Sequence, residues 1–268
     1  MFAREGSLAE TILIEDQGNW LEVTLNRPNK LNCFDDDMHI ALRRALEQAI
    51  SDEKRAILIT GAGRGFCAGQ DLGDRDPSKL DCPPDLSQTL TTFYNPLIRL
   101  IRDAEMPVIC AVNGVAAGAG ANLALACDIV LAAETAEFIQ SFAHVGLIPD
   151  AGGTWNLTRL LGPARAKALA ITGEPVLAPQ AAEWGMIWKA VPNDELLVEA
   201  RALAARLANG PTFGFAHVKK AINAAGKTSF EDQLELEARY QQACGASADY
   251  AEGVTAFLNK RTPEFQGK

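Results

Sequence analysis

Two short, almost wholly apolar segments, each running straight into glycine-rich sequence, constrain this chain more than any other feature. AILIT (56–60) leads into GAGRGFCAGQDL, and PVICAV (107–112) leads through Asn113 into GVAAGAGANLALA. A strand that is apolar on both sides has to be covered on both sides, which is the condition of parallel strands joined by helices. The glycines that follow let the backbone approach another group more closely than any side chain would allow.

The remaining pattern extends this reading. TILIE (11–15) and WLEVTL (20–25) read as strands separated by DQGN. Met38, Leu42, Leu46 and Ile50 share the spacing of one helical face, with Asp35 placed to cap it. A helix is expected over roughly 86–102, then strands at DIVLAA (128–133) and AEFIQ (136–140). From Ala151 onward the spacing predicts helices only, over 151–161, 163–171, 195–208, 212–225, 229–243 and 247–259. The fold class is α/β, with right-handed crossovers in the core. We expect a core over 1–195 and a helical C-terminal region over 196–268.

Charge and composition narrow the partners. A net charge of −9 argues against nucleic acid, which needs concentrated positive charge. No apolar run approaches the roughly 20 residues of a membrane span, so no membrane partner is expected. The opening MFAREGSLAETILIED has no leader pattern, and the six cysteines form no CxxC pair and have no histidine at zinc spacing. The expectation is reduced thiols, no metal and a cytoplasmic location.

GAGRGFCAGQ (61–70) follows a strand but is not a nucleotide loop. It lacks the Gly-Lys-Ser/Thr of a P-loop, and Phe66 stands where the dinucleotide fingerprint needs its last glycine. The polar DLGDRDPSK (71–79) that follows opens no helix. Two readings remain open. Both loops present backbone N–H groups that could converge on one developing oxyanion. Alternatively, their small residues only permit tight packing of helix on strand.

FCAGQDL (66–72), PVICAVNGVAAGAGANLALACDI (107–129), GLIPDAGGTW (146–155), LNRPNKLN (25–32) and SADYAEGVTAFLNKR (247–261) together resemble the crotonase, or enoyl-CoA hydratase/isomerase, superfamily. GAGRGFCAGQDL, FYNPLIR and EWGMIW are most similar to its branch of isomerases acting on ring-epoxidised phenylacetyl-CoA. The resemblance implies a spiral of ββα units with C-terminal helices that build a homotrimer or a dimer of trimers. It implies an acyl-CoA thioester substrate and no cofactor beyond the coenzyme A that the substrate carries.

Carried onto this sequence, the resemblance assigns the oxyanion donors to the backbone N–H groups of Gln70 and Ala119. Asn122 and Phe142 occupy the positions of the two hydratase glutamates, so water addition lacks its acid and base. Asp150 is the remaining carboxylate and the implied acid/base. Its residue type and place before a helix equally suit an N-cap, the reading favoured by sequence alone. Phe142, Val145 and Leu147 suggest an apolar pocket that would raise its basicity. Ala68, Asp71, Leu72 and Asn122 are implied substrate contacts; Lys30, Phe257 and Lys260 match positions that meet the CoA adenine and phosphates, the last two from a neighbouring subunit. Those three read equally well as surface residues. Cys67 is a buried filler or a nucleophile, and His39, His144 and His217 are structural or exposed, His144 being the one near the implied pocket. The rivals are a Δ3-Δ2 enoyl-CoA isomerase, a hydratase-like enzyme, and a non-catalytic CoA- or RNA-binding scaffold.

Overall fold

The computed structural model describes residues 11–75 and 82–268. The leader reading of residues 1–10 and the 76–79 end of the polar stretch lie outside the described residues. β1 (Ile12–Asp16) and β2 (Trp20–Leu25) form an antiparallel hairpin. α1 (Asp36–Ser51) follows, and Asp35 caps it as expected, its carboxylate accepting from the Met38 N–H at 2.9 Å. Met38, Leu42 and Leu46 turn inward and are buried.

Three ββα turns then build the body of the molecule. In the first, β3 (Ala56–Gly61) and β4 (Gly65–Cys67) lead to α2 (Leu86–Thr89), a π-helical turn over Leu90–Tyr94 and α3 (Asn95–Asp103). In the second, β5 (Val108–Val112) and β6 (Val115–Ala117) lead to α4 (Ala119–Ala126). In the third, β7 (Ile129–Ala133) and β8 (Glu137–Ile139) lead through a 3-10 turn at Ser141–Val145 to α5 (Gly153–Thr172). β9 (Val176–Leu177), α6 (Ala178–Glu183) and β10 (Lys189–Val191) complete the core. The first strand of each pair joins a large sheet of order β1-β2-β3-β5-β7-β10, and the second joins a smaller one of order β4-β6-β8-β9. Every pairing in the large sheet beyond the first hairpin is parallel, and β5 is buried along its whole length. The apolar AILIT and PVICAV segments are thus the covered strands that their composition requires.

The stretch after Ala151 departs from the all-helical expectation. β9 and β10 return to the two sheets, β10 pairing with β7. At two and three residues they are too short to carry a period of two. The expected helices 151–161 and 163–171 are present as the two halves of α5, separated at Gly162 by its non-helical angles. α7 (Leu196–Ala208) lies on the large sheet, with Ala200, Ala204 and Ala208 wholly buried. α8 (Thr212–Ala225), α9 (Phe230–Gly245) and α10 (Ala248–Leu258) continue outward and leave Ile222, Phe230, Phe257 and Leu258 exposed. Among the described residues no helix is long and apolar enough to cross a membrane.

Candidate active site

The two glycine-rich loops meet. Gly69 takes a left-handed φ of +94°, and a Cβ built on it would lie 3.0 Å from the Ala117 carbonyl oxygen and 3.4 Å from the Ala119 nitrogen. The chain can therefore turn at 69 and pass directly beside the start of α4 only because no side chain is present. Gly120 makes the second close approach. A Cβ there would sit 2.2 Å from the Cys67 carbonyl oxygen, so the first turn of α4 rests on the end of β4. The packing reading of the loops holds: the glycines seat helix on strand, and the turn at Gly69 passes beside the start of α4. Among the described residues neither the Gln70 nor the Ala119 N–H donates to a protein acceptor.

These amides open on a cavity of about 490 Å³ whose wall is mainly apolar: Leu72, Leu86, Leu90, Tyr94, Phe142, Leu147 and Ile148. Asp150 lies in the same wall. Its Oδ1 is buried with no hydrogen-bond partner, and burial pushes the carboxyl up to about 6, against the weaker pull of its own backbone N–H and of Arg75. A carboxylate in this setting is poorly solvated and correspondingly basic. It is not a cap. α5 begins at Gly153 with Gly152 at the N-cap and no side-chain cap bond, so two residues separate Asp150 from the helix.

The single chain brings Asp150, Gln70, Ala119, Ala68, Leu72 and Phe142 to this cavity, together with His144, Val145 and Leu147, and not Asn122, Asp71, Lys30, Phe257 or Lys260. Asn122 does not line it. Its side chain is wholly buried, donating to the Asp150 carbonyl oxygen at 2.9 Å and accepting from Gln140 Nε2 at 2.9 Å. With no surface exposed and its amide held from both sides by the protein, Asn122 does not reach a substrate in the cavity. Asp71 is also occupied elsewhere, pairing with Arg27 at 3.0 Å and accepting from the Gly73 N–H. That backbone bond, with Arg27 and Lys30 nearby, holds its carboxyl below the usual range. Lys30 is exposed with its ammonium 4.0 Å from Asp71. Phe257 is exposed and borders a separate apolar groove with Tyr250, Leu258 and Phe265, and Lys260 follows the end of α10. Cys67 is wholly buried and its thiol is pushed up to about 12 by burial, so it supplies no thiolate. His144 borders the cavity. His39 is buried, stacked on Phe34 and Phe93, and depressed to about 4 by desolvation.

Sequence reasoning missed Tyr94, Ser141 and Arg75 in the wall. Tyr94 had a legible signal: a tyrosine on the inner face of a helix needs a partner for its hydroxyl. Arg75 was hidden in a polar loop, where its guanidinium donates to Thr89 Oγ1 at 2.9 Å.

Residues 15–268 match the family model described as enoyl-CoA hydratase/isomerase. The chain is 52% identical over 262 residues to a 1,2-epoxyphenylacetyl-CoA isomerase of Escherichia coli K12, covering 97% of this chain and 100% of that protein. It is 34% identical to a 2,3-dehydroadipyl-CoA hydratase of the same organism, covering 96% and 99%. A crystal structure of an enoyl-CoA hydratase from Polaromonas sp. JS666 superposes with a TM-score of 0.88 at 35% identity, covering 95% of this chain and 99% of that one.

Proposed function

The chain belongs to the enoyl-CoA hydratase/isomerase family, and on that premise we propose that it isomerises ring-1,2-epoxidised phenylacetyl-CoA to an oxepin-CoA. One observation carries the reading. A single carboxyl, its Oδ1 buried without a partner and its pKa raised to about 6, shares an apolar cavity with two backbone N–H groups that no acceptor among the described residues uses. The thioester oxygen would sit between the Gln70 and Ala119 amides, which stabilise negative charge as it develops there. The C–C bond shared by the epoxide and the ring opens electrocyclically to the seven-membered oxepin, and Asp150 takes a proton from the carbon next to the thioester carbonyl, the freed electron pair spreading over the carbonyl oxygen and the adjacent ring double bond. The same carboxyl then returns a proton, so one group serves as base and acid.

The absence of carboxylates at 122 and 142 favours isomerisation over hydration, although hydratases are among the relatives. Coenzyme A enters as part of the substrate in this proposal, with no other cofactor. The proposal extends to a homotrimer or a pair of trimers in the cytoplasm, acting in phenylacetate catabolism. What supports assembly is the apolar surface of α9 and α10 at Phe230, Phe257 and Leu258.

The test is a panel of thioesters, namely ring-epoxidised phenylacetyl-CoA, a 3-enoyl-CoA and a 2-enoyl-CoA, followed by absorbance and product mass. Product of unchanged mass from the first supports the reading. Gain of one water on the 2-enoyl ester as the main activity overturns it. Asp150→Asn should lose about 10²- to 10⁴-fold in turnover while still binding the thioester.

A further inference from the structure

We propose that Tyr94 is a positioning residue that acts through the Gln70 side chain to aim the Gln70 N–H at the thioester oxygen. The inference rests on the reading of that N–H as an oxyanion donor. It adds that the Gln70 side chain, which the donor itself does not require, is needed to hold the donor in place.

The geometry is a closed set of bonds around Phe34. Tyr94 Oη donates to Gln70 Oε1 at 3.0 Å, and Gln70 Nε2 donates to the Phe34 carbonyl oxygen at 3.0 Å. The Phe34 N–H donates to the Gly69 carbonyl oxygen at 2.7 Å. That carbonyl belongs to the same peptide unit as the Gln70 N–H. In a trans peptide the two point in opposite directions. Fastening the Gly69 carbonyl to Phe34 therefore turns the Gln70 N–H away from Phe34. Gln70 lies in no regular strand; among the described residues its ladder contact is an isolated bridge to Phe34, whose carbonyl also accepts from the Asp71 N–H at 2.8 Å. The side-chain bonds add to these two backbone bonds the restraint that neighbouring ladder pairs would otherwise give.

Tyr94 is built for this role. It ends the π-helical turn Leu90–Tyr94, an irregularity often found at functional sites. It is 2% exposed, packs edge-on to His39 with centroids 4.4 Å apart, and has its phenol raised well above the usual range by burial. It therefore stays a hydrogen-bond donor and does not become a base. A loosened peptide would move the donor by a fraction of an ångström, and misplacement of that order is costly when charge is developing.

The test compares the wild-type chain with Tyr94→Phe, Gln70→Met and the double variant. Two readouts are taken: steady-state kcat and KM on ring-epoxidised phenylacetyl-CoA, and the carbonyl stretch of bound, isotopically labelled phenylacetyl-CoA. Each single variant should lower kcat by about 10-fold or more with little change in KM, and should shrink the red shift of the bound carbonyl. The double variant should be no worse than Gln70→Met alone, since both changes break one chain of contacts. A Tyr94→Phe loss that persists in full in the Gln70→Met background would overturn the proposal, marking Tyr94 as a direct substrate contact. An unchanged kcat and carbonyl shift in Tyr94→Phe would also overturn it. Should Gln70→Met fold poorly by thermal unfolding, Gln70→Leu serves in its place, because it likewise removes both the acceptor for Tyr94 and the donor to Phe34. Absence of any red shift in the wild-type chain would instead remove the oxyanion reading beneath it, so the two failures are distinct.

Discussion

Asn122 grips Asp150 from behind: its side-chain amide donates to the Asp150 carbonyl oxygen at 2.9 Å, and its own oxygen accepts from Gln140 Nε2 at 2.9 Å. The backbone of Asp150 is thereby attached to the buried body of α4 and not only to the loop that carries it. Asn122→Ala removes both bonds and leaves the Gln140 amide unpaired in the interior. We expect a loss of about 1–3 kcal/mol in thermal or denaturant unfolding. Turnover should also fall by up to about 10²-fold as the carboxyl loses its fixed position. A variant that unfolds early but turns over normally would show the contact to be structural only.

Asp150 should set the acid limb of the pH profile. With its carboxyl raised to about 6 by burial, kcat/KM should rise with pH through that value and then level, because the base must be ionised. Stability moves the other way. The proton is held more tightly in the folded chain than at the ordinary 3.8, so stability falls as pH rises from about 4 to about 6 and is constant above. Asp150→Asn removes the charge. It should therefore melt higher than wild type at about pH 7.5, with the gap closing below about pH 4. A wild-type profile still flat at pH values well below 6 would contradict this assignment.

Gly120→Ala tests whether packing of α4 on β4 places the Ala119 amide. A Cβ at 120 would lie 2.2 Å from the Cys67 carbonyl oxygen and 2.8 Å from the Cys67 Cβ, both within the rigid core. The start of the helix has to move. We expect about 1–3 kcal/mol of destabilisation from overpacking and about 10²-fold loss of kcat from displacement of the donor. Wild-type kinetics in this variant would show that the position of α4 does not control the site.

The legible parts of this structure were those with a repeated signal. α1 could be read from four apolar residues at helical spacing and an aspartate before them, and its cap is where expected. β3 and β5 could be read because covered strands are apolar throughout. β4 and β6 could not, although they carry the second sheet past the site, because three residues show no period. Within the site, Asp150 was legible as a carboxylate in a known motif. The orientation of Asn122 was not. Its amide suits a substrate contact as well as a buried brace, and only the positions of Gln140 and the Asp150 carbonyl decide between them.

Of the charged pairs that fasten the tail to the core, Arg201–Glu22 has the most deeply buried carboxylate, and its loss should be felt throughout the chain. Glu22 on β2 is 2% exposed, and Arg201 on α7 meets its carboxylate with two bonds of 2.8 and 2.7 Å. Arg201→Met keeps much of the apolar stem but leaves a buried carboxylate with no counter-charge. Breaking a buried pair in this way costs about 3–5 kcal/mol, and the partly exposed guanidinium places this case at the lower end of that range. Glu22→Gln combined with Arg201→Met removes the stranded charge and should recover more than half of the loss, as read from denaturant midpoints. If Arg201→Met alone unfolds like wild type, the pair is solvated in practice and α7 is held by Ala200, Ala204 and Ala208 against the sheet.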